Sequence, residues 1–180
     1  MAQLTTQTLS RRHGEKAGAG PGEAVFKANL SEDIDWKPFA AFPPSARLAV
    51  VAGQPSQPGL YTVRVKMPHG VKLMPHRHPE DRIYTVISGV FYIGLGNEFD
   101  ADRLEAYPPG AVIILPGNTS HFHWAKSGEY VTQVSAIGPL GMEYVNSKDG
   151  RRSQNSSVVP LLLPRFSVGS ISAAETTNAG

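Results

Sequence analysis

Four of the six histidines in this 180-residue chain fall in two short segments about forty residues apart. One segment reads Gly70-Val-Lys-Leu-Met-Pro-His76-Arg-His78-Pro-Glu80-Asp81-Arg82, the other Pro116-Gly-Asn-Thr-Ser-His121-Phe-His123. A β-strand sends alternate side chains to the same face, so His76 and His78 point one way and His121 joins them from a second strand. Three convergent imidazoles make a divalent-metal site that keeps positions open for water or substrate. Imidazole suits iron, manganese, zinc and nickel alike, so the ligand type does not choose among Fe²⁺, Mn²⁺, Zn²⁺ and Ni²⁺. His123 shares the parity of His121. It is a candidate fourth ligand, a group that orients a ligand, or a proton shuttle; the plain alternative is an imidazole hydrogen-bonded in the core.

Elements that present these residues come from the middle of the chain. Arg47–Val51, Leu60–Lys66, Ile83–Ile87, Val90–Gly94, Ala111–Leu115, His121–Trp124 and Tyr130–Val134 are short, β-branched or aromatic, and bounded by Gly, Pro, Asn or Asp. No segment carries a sustained helical period, so helix belongs to the tails. Ser88-Gly89 reads as the turn of a hairpin, and Pro108-Pro109-Gly110 as a rigid turn before the next strand. The pattern predicts an all-β sandwich or barrel over residues 35–146. A flexible arm (1–34) precedes it, and a partly extended or disordered tail (147–180) follows. Val158–Phe166 is the apolar exception in that tail, with prolines that bar a helix and suit packing on the domain or on a partner chain.

Composition narrows the classes. Seventeen basic against fifteen acidic residues leave a net charge of +2 with the signs interspersed, which gives no nucleic-acid footprint. Zero cysteines removes disulfides, thiolate metal sites and cysteine nucleophiles. No apolar run approaches a membrane span and no signal-peptide pattern opens the chain, so a cytoplasmic protein with no membrane partner is expected. His69 sits in a turn and reads as exposed. The loop carrying Glu98, Asp100, Asp102 and Glu105 lacks calcium-loop spacing and reads as solvated.

The two histidine segments resemble the paired motifs of the cupin superfamily. Gly70, five residues, His76-x-His78 and a closing Gly89 match the first motif. Gly110, five residues, Pro116 and then His121 match the second. The resemblance spans about Trp36 to Asn146 and implies a small double-stranded β-helix (jelly-roll) barrel, with His76, His78 and His121 as metal ligands. It departs at three places. Arg82 stands where the motif has glutamate, Asn118 where it has glycine, and Ala125 where it often has asparagine. Asn tolerates left-handed backbone. Arg82 leaves three alternatives open: a three-histidine centre from which the arginine turns to Glu80, Asp81 or an anionic substrate; a centre in which Glu80 or Asp81 supplies an oxygen ligand; or a degenerate site without metal.

Tyr84, two residues past Arg82 on the same parity, is the leading candidate for a proton donor beside a bound oxygen. Arg82, Tyr84 and His123 are the candidate catalytic groups. Tyr92, Phe122, Trp124, Met74 and Gln133 are further candidates for the cavity wall, each with barrel core as its alternative. The resemblance implies a metal-dependent enzyme on a small organic molecule, either dioxygenase-like, as in three-histidine cupin oxidoreductases, or an isomerase or lyase. The rivals are a non-catalytic metal- or ligand-sensing module, and a structural dimer with a dead pocket. It also implies a homodimer.

Overall fold

Strict alternation builds the longest strands. In β2 (Gly59–Met67), Tyr61, Val63, Val65 and Met67 are buried while Leu60, Thr62, Arg64 and Lys66 face out. The computed structural model of the chain describes residues 28–154. They fall in two units, divided after Asp33. The described part of the first holds a single 3-10 turn, Ser31–Asp33.

In the second unit, ten strands form two five-stranded sheets, antiparallel throughout. The first sheet runs β1 (Arg47–Ala52), β2, β9 (Tyr130–Gly138), β4 (Arg82–Ser88), β7 (Val112–Leu115). The second runs β10 (Glu143–Tyr144), β3 (Lys72–Arg77), β8 (His121–Trp124), β5 (Phe91–Leu95), β6 (Glu105–Tyr107). Their inward faces enclose a core of Tyr61, Val63, Met67, Leu73, Val86, Phe91, Tyr130 and Val134. Each such side chain contributes roughly 1.5–3 kcal/mol through burial. The result is the all-β barrel the strand pattern predicts. One helix, α1 (Ser147–Gln154), follows β10. No helix among the described residues is long and apolar enough to cross a membrane.

Three local features set the chain's path around the barrel, the first of them unlike the sequence expectation. Ser88-Gly89 does not close a hairpin, because β4 pairs with β9 and β7 while β5 pairs with β8 and β6. Gly89 is instead the corner where the chain leaves one sheet for the other. Its φ is 70°, and a Cβ there would lie 2.1 Å from the Glu129 carbonyl oxygen, so only glycine turns the chain this closely. Second, Glu105 belongs to the short strand β6, and Asp100 caps a 3-10 turn at Ala101–Arg103 through its side chain on the Asp102 amide, while Glu98, Asp102 and Glu105 are exposed, as the solvated reading has it. Third, β3 pairs Leu73 with His123 and His76 with His121, so β3 spends one more residue than β8 between these pairs. That bulge lies at Met74-Pro75, where proline has no amide to give the ladder. The arm before residue 28 and the Val158–Phe166 segment lie outside the described residues.

Candidate metal centre

The bulge brings His76 directly opposite His121 across β3 and β8. His78 lies one residue beyond β3, and its carbonyl accepts the Asn118 amide at 2.6 Å. Asp81 Oδ1 accepts the Gly117 amide, also at 2.6 Å. The turn before β8 thus clamps both ends of the His78–Asp81 segment. Asn118 takes the left-handed conformation at φ 61°.

Each imidazole is oriented through Nδ1. That atom lies 2.8 Å from the Met74 carbonyl oxygen in His76, 2.9 Å from that of Thr119 in His121, and 2.5 Å from that of Gly141 in His78. A carbonyl only accepts, so Nδ1 carries the proton in all three and each Nε2 presents a lone pair. The ligand atoms of His76, His78 and His121 lie within 4.8 Å of one another. Nε2 of His76 and of His121 is buried with no hydrogen-bond partner. An unsatisfied buried acceptor costs about 1–3 kcal/mol, a penalty that a metal bond removes. The three rings are neutral: burial holds His76 and His78 well below the ordinary imidazole range and lowers His121 to about 4. Neutral nitrogens at this spacing, two of them without another partner, fit a divalent ion with open positions, which His76, His78 and His121 would hold.

The arginine question has a structural answer. Arg82 is 5 % exposed, and its Nη2 lies 2.5 Å from Glu80 Oε1. Tyr61 donates to the same Glu80 oxygen at 2.8 Å, and the Gly141 amide lies 3.3 Å from Glu80 Oε2. Glu80 is committed to Arg82, Tyr61 and Gly141, and Asp81 to Gly117. Neither carboxylate joins the group formed by His76, His78 and His121. Burial works against the Arg82 charge, but Tyr84, Tyr61 and Glu80 outweigh it and raise the guanidinium above its ordinary value.

His123 stands outside the group of three, with its ring 5.0 Å from His121 and 4.8 Å from Phe91. Its Nε2 is buried without a partner, and burial followed by the neighbouring His121 keeps it neutral. Tyr84 is buried, stacks on Phe91 and meets His121 and His123 edge-on at 6.5 and 6.1 Å. Burial raises its phenol against the opposing pull of Arg82.

Four candidates for the wall point elsewhere. Because His121 and His123 face inward, Phe122 and Trp124 face the other side of the sheet. Phe122 packs under Phe99, while Lys72 lies over Trp124 at 4.5 Å. Tyr92 pairs with Trp124 on that side, and Gln133 faces out to accept from Arg64. Three residues of the site carried no sequence expectation: Tyr61, Gly141, and Tyr130, whose hydroxyl is buried without a partner beside Phe91. Alternation along β2 and β9 already places the two tyrosines inside; nothing marks Gly141. A separate, mostly apolar groove of about 440 Å³, lined by residues such as Phe39, Leu48, Val50 and Leu140, contains none of the histidines.

No protein-family model matches the chain, and no curated protein matches it. Solved structures do. The chain is similar to the polyketide cyclase RemF from Streptomyces resistomycificus, at 17% identity and TM-score 0.58, over 73% of this chain and 98% of that one. It is similar to an RmlC-like cupin protein from Ralstonia eutropha JMP134, at 18% identity and TM-score 0.53, over 73% and 84%. This is a cupin fold. The chain is also similar to the DMSP lyase DddQ from Ruegeria pomeroyi DSS-3, at 16% identity and TM-score 0.51, over 62% of this chain and 61% of that one. At these identities the likeness carries architecture, and one architecture hosts many reactions.

Proposed function

We propose that this cupin is a metal-dependent enzyme that holds a divalent ion on Nε2 of His76, His78 and His121 and acts on a small organic anion. The observation that carries the reading is the set of three Nδ1–H···O=C anchors, which leaves every Nε2 lone pair free of a backbone partner on rings whose ligand atoms lie within 4.8 Å of one another. When bound, such an ion supplies Lewis-acid polarisation of a substrate oxygen, or dioxygen chemistry if it is iron. Three neutral ligands leave the ion's charge uncompensated, which favours a carboxylate, enolate or β-diketonate; the Arg82 guanidinium is already neutralised by Glu80 and adds no net charge. Tyr84, kept protonated by burial, donates a hydrogen bond to substrate oxygen. His123 Nε2 accepts or returns the substrate proton. Metal analysis of protein purified without chelators tests the reading, together with oxygen uptake and product analysis on β-diketone, enol and hydroxy-acid substrates. Near-stoichiometric metal with turnover supports it; metal-free protein whose melting ignores chelators rejects it.

One observation favours a sensing module instead. Glu80 is locked into an ion pair, so the acid nearest the centre is withdrawn from proton transfer. Tight metal binding with no turnover would select that reading.

We further propose a homodimer through the outer face of the first sheet. Leu60 (68 % exposed), Ile83, Val112, Ile114 (75 % exposed) and Ile137 all stand on that face. Leu60 pairs with Ile137 and Ile83 with Ile114, so the aliphatics are contiguous. A contiguous apolar patch of this kind marks an interaction surface. A two-fold pairing of the face with itself covers apolar surface with apolar surface.

A further inference from the structure

Two of the candidate ligands are aimed from within their own segment. The carbonyl that holds His76 belongs to Met74, and the one that holds His121 belongs to Thr119, each two residues back. His78 lies past the end of β3, and its ring is held by Gly141, 63 residues further along the chain. Gly141 sits between β9 and β10, outside any strand. Its amide donates to Glu80 Oε2, and Glu80 is in turn fixed by Arg82 and Tyr61. A Cβ on Gly141 would lie 2.7 Å from both Cγ and Cδ of Pro79, the residue after His78. Gly141 is not among the glycines with positive φ, so backbone conformation does not demand glycine there. The close approach to Pro79 does.

We propose that Gly141, fastened by Glu80, is a positioning strap that sets the orientation of His78 and so completes a three-coordinate site. Neither residue touches the ion. The Arg82–Glu80 pair stands where the family motif has a carboxylate ligand, and it serves the centre from outside by holding the strap that holds the ligand. Groups that orient metal-bound histidines typically change affinity by ~10–100-fold when lost. The strap rests on the metal reading above.

The test uses the full chain and Zn²⁺ alone, with affinity from chelator competition and ligand number from X-ray absorption. Wild type should bind with three imidazoles. Gly141→Ala should bind ~10–100-fold more weakly and show fewer imidazoles. Pro79→Ala/Gly141→Ala removes the atoms the new methyl meets. It should recover to within about threefold of Pro79→Ala, which places the effect in the contact with Pro79; equal melting temperatures of metal-free wild type and Gly141→Ala separate it from general loss of stability. Should Gly141→Ala fail to fold, Glu80→Gln serves: one amide oxygen cannot serve Arg82 and the Gly141 amide together, so Zn²⁺ binding should weaken about tenfold or more. Wild-type affinity in Gly141→Ala or in Glu80→Gln overturns the strap and leaves the metal reading standing. A double variant as weak as Gly141→Ala also overturns it. Wild type that binds no Zn²⁺ overturns the metal reading, and the strap with it.

Discussion

Arg82 and Glu80 lie two residues apart in sequence and form a buried ion pair, Nη2 to Oε1 at 2.5 Å, beside the histidine centre. The arginine occupies the position where a ligand carboxylate is expected, and it has recruited the nearest acid for itself. The candidate ligands that remain together are imidazoles only, with one compensated cation at their border.

Glu80→Ala leaves a buried guanidinium with no carboxylate partner, near uncharged groups such as Tyr61 Oη, Tyr84 and the Gly141 carbonyl oxygen. Removing one partner of a buried pair costs about 3–5 kcal/mol, to be read from urea denaturation. Glu80→Ala/Arg82→Met removes the orphaned charge and should cost less than Glu80→Ala alone.

His121→Ala should abolish metal-dependent stabilisation. Wild type at a hundredfold excess of metal over Kd should gain about 2.7 kcal/mol, seen as a rise in melting temperature that a chelator reverses. The variant should melt at the same temperature with metal or with chelator.

Acid should destabilise the metal-free protein in a defined window. His76, His78, His121 and His123 are all held below the ordinary imidazole value by burial, His121 to about 4. Below about pH 6.5 the unfolded chain binds protons at these positions that the folded chain does not, so unfolding becomes easier as pH falls. Stability is fully present above pH 6.5 and declines toward the folded values, with each group contributing up to ~1.4 kcal/mol per pH unit. For His121 the loss is complete near pH 4. Chemical denaturation from pH 7.5 to 4.5 checks the slope; a flat profile would mean the imidazoles are not buried.

Ile114→Asp should convert a dimer to a monomer in light scattering while changing monomer stability by less than about 0.5 kcal/mol, since the side chain is solvent-facing. A wild-type monomer at every concentration, or a dimer that survives the substitution, rejects the sheet-face interface.

Much of this was legible in the sequence, because period-two alternation is a strong signal when one face is buried. Leu60–Lys66 and His121–Trp124 read as the strands they are, and the spacing of His76, His78 and His121 marks the residues that converge. The same parity, applied strictly, would also have turned Phe122 and Trp124 outward. Other features had no local signature. A Gly89 that closes a hairpin and a Gly89 that passes the chain to the opposite sheet present the same residues, and only the pairing of β4 and β5 with different neighbours separates them. The partner of Arg82 was a choice between Glu80 and Asp81 that the chain resolves by sending Asp81 to the Gly117 amide. Gly141 is invisible until the fold brings it to Pro79.

The carbonyls that aim His76 and His121 are local, whereas the one that aims His78 arrives with residue 141. A nascent or clipped chain ending before that point can offer two well-aimed nitrogens and a third that wanders. On the proposed metal reading, tight chelation would be reserved for polypeptide that has finished folding, and metal uptake would report completion of the barrel.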